Sequence, residues 1–76
     1  MKTLEEQLKS AKRELAYRRH AYPKWVLAHK MTQQIADHEL ACMEAICVTL
    51  DKMVMLEQVS EEMKRESERL PNPSRE

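Results

Sequence analysis

The chain has 76 residues and contains no glycine and no phenylalanine. Lacking glycine, it cannot form the glycine-rich loops that cradle phosphates, the dinucleotide fingerprint or a nucleophile elbow. It also lacks the residue that tight turns with positive φ normally recruit. Proline is scarce, and Pro23 is its one interior example, since Pro71 and Pro73 fall near the end. Long apolar runs are missing as well. The longest clean ones, such as Ala45-Ile46-Cys47-Val48, reach four residues, far below the roughly 20 residues that span a bilayer. Met1-Lys2-Thr3-Leu4-Glu5-Glu6 has no apolar core of signal-peptide length. A cytoplasmic protein is therefore expected.

The two cysteines, Cys42 and Cys47, are five apart on one expected helix. At about 100° per residue they diverge by roughly 140°, so they cannot bridge within the chain. They read as two small buried apolar residues in a reducing compartment, with an intermolecular bridge left open.

What remains is helix, broken once. Ala21-Tyr22-Pro23-Lys24-Trp25-Val26 holds the interior proline, the single tryptophan and one of the two tyrosines. The expected fold is an all-α helical hairpin with helices over about 4–21, 23–29 and 32–69. Residues 1–70 form a single domain and 71–76 a disordered tail. Thr3 and Glu6 have capping-box spacing, Glu6 reaching back to the cap. Leu4, Leu8, Ala11 and Leu15 then recur as a narrow coiled-coil-like seam. At Pro23 two outcomes are open: a short separate helix begun by the proline, which is the expectation, or a kinked continuation. Tyr22, Pro23 and Trp25 form the bend, with Tyr22 and Trp25 expected to plug the core there.

Thr32 caps the long helix, which carries two overlapping seams. One runs Ala36, Leu40, Met43, Cys47, Leu50, Val54 and the other Ile35, Cys42, Ile46, Met53, Leu56. One partner helix needs only one seam. A second copy of the chain is the simplest cover for the other, as a homodimer forming a four-helix bundle with Ile46, Leu50 and Met53 near its centre. Met55 is the methionine expected to be most exposed.

Charge divides the chain. Residues 1–30 hold eight Lys/Arg and three Glu, whereas residues 31–76 hold five Lys/Arg and ten Asp/Glu. Folded back, the halves complement one another. The rival reading is a nucleic-acid patch of Lys12, Arg13, Arg18, Arg19 and Lys24 beside aromatic rings. His38 and Cys42 have ligand spacing, but nothing at a recognised spacing completes a metal site. No catalytic residues, cofactor or metal are expected, and the chain reads as a non-enzyme.

The stretch Tyr22-Pro23-Lys24-Trp25-Val26, with Lys30-Met31-Thr32, Ala36-Asp37, Glu39 and Met43-Glu44-Ala45-Ile46, resembles small uncharacterised proteins encoded by bacteriophages and prophages of Gram-negative bacteria. The resemblance covers about a third of the chain and implies a phage origin and a location in the host cytoplasm. It implies no biochemical activity. It fits an accessory protein that binds a host or defence factor, with a structural or assembly role as a further alternative. Such relatives often carry a glycine before Met-Thr, where this chain has Ala28-His29-Lys30.

Overall fold

In a computed structural model, which describes residues 1–69 and the side chains of 1–67, two antiparallel helices fold against each other. Helix α1 spans Leu4–Leu27 and α2 spans Gln33–Arg69. The described residues contain no strand, so the all-α hairpin is observed. The expected tail over 71–76 lies outside the described residues.

Each helix starts where its cap dictates. Thr3 accepts the Glu6 N–H on Oγ1 at 3.1 Å, and Thr32 accepts the Ile35 N–H at 3.2 Å, each satisfying one orphan donor of a first turn. The reciprocal half of the capping box is not made: the Glu6 carboxylate pairs with Lys2 Nζ at 3.7 Å.

The separate helix expected at Pro23 does not form. Pro23 sits inside α1, which continues to Leu27. The ring removes the N–H that would bond the Arg19 carbonyl. Arg19 is exposed, so that carbonyl does not have to be satisfied in a dry interior. Only one turn follows, and it ends in a strong stop. Lys30 N–H bonds the Trp25 carbonyl at 2.9 Å and His29 N–H bonds that of Val26 at 3.1 Å, the paired bonds of a Schellman ending. Restoring the missing donor should help a continuous helix and would not help one that starts at Pro23. Pro23→Ala is therefore expected to raise the unfolding free energy by about 1–2 kcal/mol in urea titration, and a loss of stability would contradict the continuous helix.

The turn uses an unexpected residue. His29 has φ 59°, the left-handed region that glycine occupies without a Cβ clash. His29→Gly is expected to stabilise the hairpin by about 0.5–1 kcal/mol, the clash relieved less the added unfolded-state entropy, read as a higher melting temperature.

The core is one thin seam. Ala11, Leu15, Met43 and Cys47 are buried together, with Leu40 and Leu50 packed on them. Ala21, Tyr22 and Ala36 are buried toward the bend. Leu4 and Val54 are half-buried, and their equal distances from the core pairs place them level at the open end. Beyond them α2 outruns α1 by about 15 residues, or ~22 Å at 1.5 Å per residue.

Candidate interaction surface

The first seam of α2 meets α1 in full: Ala36, Met43 and Cys47 are buried and Leu40, Leu50 and Val54 half-buried. The second seam is left outside. Ile35 is 51%, Ile46 48%, Met53 44% and Leu56 68% exposed. At 100° per residue this stripe lies about 100° around α2 from α1, so one partner helix cannot reach both. Val59 and Met63 are also exposed on the projecting end. Met55 is exposed, and Met63 more so.

A shallow groove between the helices runs beside the open stripe. Gln7, Ser10, Glu14 and Tyr17 of α1 line it with Met43 and Leu50 of α2. Nearer the open end Gln7 meets Ala45, Ile46 and Thr49. Of the residues expected at the oligomer interface, Ile46 and Met53 are on the open side, while Leu50 is half-buried in the hairpin seam.

At the bend the aromatic side chains divide. Tyr22 is buried, whereas Trp25 is 37% exposed, so Trp25 covers the core edge rather than filling it. Its ring is 5.5 Å from Tyr22, tilted at 35°, and 6.5 Å from the exposed Tyr17, edge-on at 76°. Neighbours in this range favour edge and offset contacts.

Two of the five basic residues, Arg18 and Arg19, are tied into the hairpin by acidic partners. Arg18 Nε donates to Glu14 Oε1 at 2.9 Å, and its Nη1 lies 3.6 Å from Glu39 Oε2 across the helices. The Glu14 hydrogen bond, opposed by some desolvation, raises the Arg18 pKa, so this guanidinium stays charged. Arg19 Nη2 meets Glu44 Oε1 at 3.2 Å. These exposed pairs fix orientation more than they stabilise, since each is worth roughly 0–1 kcal/mol. Lys24 Nζ sits 3.2 Å from His20 Nε2. Lys12, Arg13 and Lys24 remain exposed, but successive steps of about 100° point Lys12 and Arg13 in different directions. The five cations do not converge on one surface.

Cys42 is exposed and Cys47 buried, correcting the expectation that both are core residues. Cys42 belongs to the second seam, which α1 does not cover. Its Sγ lies 3.5 Å from His38 Nε2. Among the described residues no group of three or more His, Cys, Asp or Glu could hold a metal ion, and no helix is long and apolar enough to cross a membrane.

No protein-family model, curated protein or solved structure matches this chain.

Proposed function

We propose that this chain is a non-enzymatic, phage-type accessory protein that works by protein–protein binding, and that its first partner is a second copy of itself. The observation that carries the reading is the apolar stripe Ile35, Ile46, Met53 and Leu56, exposed along α2 while the parallel seam is used up by α1. A contiguous patch of this kind on a small chain marks an interaction site.

A homodimer with Ile46 and Met53 in its interface would form a four-helix cross-section where the hairpins overlap, with Leu50 one layer deeper. The Tyr-Pro-Lys-Trp-Val element supports a phage-type origin, action in the host cytoplasm, and a host or defence factor as the further partner.

This reading is favoured over nucleic-acid binding because Arg18 and Arg19 are already engaged by Glu14, Glu39 and Glu44. Affinity capture from nuclease-treated bacterial lysate tests it. Stoichiometric recovery of a defined protein, lost with Ile46→Asp, is expected. Submicromolar, salt-sensitive binding of oligonucleotides that Lys12→Glu and Arg13→Glu abolish would replace it with the nucleic-acid reading.

A further inference from the structure

We propose that the occupant of the groove between α1 and α2 is the projecting end of α2 from a second copy, the two α2 helices pairing antiparallel over their whole length. The inference rests on the self-association reading above and adds the surface, the register and the orientation.

Three observations converge on it. The first is continuity of the stripe. Ile35, Cys42, Ile46 and Met53 continue through Leu56, Ser60 and Met63 at spacings of three, four and three, so one seam runs from the bend end onto the projecting end. Only its first part lies beside α1. An antiparallel copy covers the whole seam at once when the two α2 helices overlap fully, about a centre at Asp51. In that register Ile46 lies opposite the partner's Leu56, Thr49 opposite the partner's Met53, and Cys42 opposite the partner's Ser60. Each pair joins positions that alternate three and four apart, which is the layer pairing an antiparallel coiled coil requires.

The second observation is the shape of the hairpin. The stripe lies about 100° around α2 from α1, so a helix packed on it lies diagonally over the groove lined by Ser10, Arg13, Glu14 and Tyr17, roughly 14 Å from the α1 axis and within reach of long side chains. Because α1 stops near the level of Val54, it leaves room for the same contact to repeat by two-fold symmetry at the other end. Each end of the dimer is then three helices thick and the middle four, an isologous closed arrangement.

The third is charge. From Met55 to Ser67 the projecting end carries Glu57, Glu61, Glu62 and Glu66 against Lys64 and Arg65. The α1 helix it would lie along belongs to the basic part of the chain. The register brings the partner's Glu57 level with Arg13 and the partner's Glu61 level with Tyr17 and Arg18. Opposite charges at the rim set register and orientation more than affinity.

The exposed native Cys42 supplies the test. Ser60→Cys introduces a thiol at an exposed position of the projecting end. In buffer containing oxidised glutathione, this variant is expected to form a covalent dimer whose peptide map shows Cys42 joined to residue 60 of the other chain. Cys42→Ser in the same background removes the cross-link. Val59→Cys, turned off the seam, cross-links at least about tenfold more slowly, because thiols whose α-carbons lie beyond ~7 Å cannot bridge without backbone movement.

Leu56→Glu provides a second measurement on an otherwise intact chain. It lies beyond the end of α1, so the hairpin keeps its helicity while the dimer dissociation constant rises at least about 30-fold. Cross-links joining residue 60 to residue 60, a Ser60→Cys rate no greater than that of Val59→Cys, or a dimer indifferent to Leu56→Glu would overturn this arrangement and leave self-association standing. A wild-type chain that sediments as a monomer would remove both.

Discussion

Tyr22→Ala is expected to cost about 3–4 kcal/mol, the range for truncating a buried aromatic in a core that cannot collapse around the cavity. Tyr22 is 7% exposed and sits where the single seam narrows toward the turn. Among the described residues no side chain is fully buried, so there is little second-layer packing to close the space. Small domains lie near the low end of 5–15 kcal/mol in total stability, so a loss of this size leaves a substantial unfolded population. Urea unfolding followed by far-ultraviolet circular dichroism measures it. Trp25→Ala, at a half-exposed ring, is expected to cost roughly half as much, because the transfer contribution scales with the area removed from water. Equal losses for the two variants would contradict their placement.

The other large effect is on assembly. Ile46→Asp and Met53→Asp each place a charge on the open stripe. In a dimer that charge would be buried without a partner, at a cost of several kcal/mol unless the copies separate. Separation is the cheaper outcome, so both variants are expected to remain helical and become monomeric at concentrations where the wild type is associated. The dissociated hairpins should also melt at a lower temperature that no longer depends on concentration, since association contributes to stability by mass action. Leu50→Asp behaves differently. Leu50 packs against the buried cluster of the hairpin itself, so that variant loses helicity along with its mass. If Ile46→Asp instead unfolds the chain as Leu50→Asp does, the second seam is part of the hairpin core and the open stripe is misread.

The hairpin and its packing seam were legible because they rest on periodicity. Leu4, Leu8, Ala11 and Leu15 face Ala36, Leu40, Met43, Cys47, Leu50 and Val54 through spacings that a sequence displays directly. The caps at Thr3 and Thr32 were legible for the same local reason. The path through the bend was not. A proline next to aromatics reads as a helix boundary, yet α1 continues through Pro23 because a single turn and a well-bonded stop suffice to hold it. The left-handed His29 is only weakly marked in the sequence: histidine is among the few non-glycine residues enriched at positive φ, but the residue type alone does not single out this position. Cys42 and Cys47 look alike in composition and differ only in the angle at which α2 presents them to α1. Trp25 reads as a core plug from its position at the bend, yet its ring lies at the edge while Tyr22, a turn earlier, takes the inner position. The open stripe was visible as an excess of apolar positions on α2, whereas its occupant depends on a second chain that no pattern within one chain can show.

Sedimentation equilibrium across roughly 1–100 µM, a span in which micromolar dissociation constants are resolved, tests the central claim most directly. The account predicts a reversible monomer–dimer equilibrium, with the mass rising toward twice the 9.0 kDa of the chain. A folded, stable species that stays at 9.0 kDa throughout would contradict it.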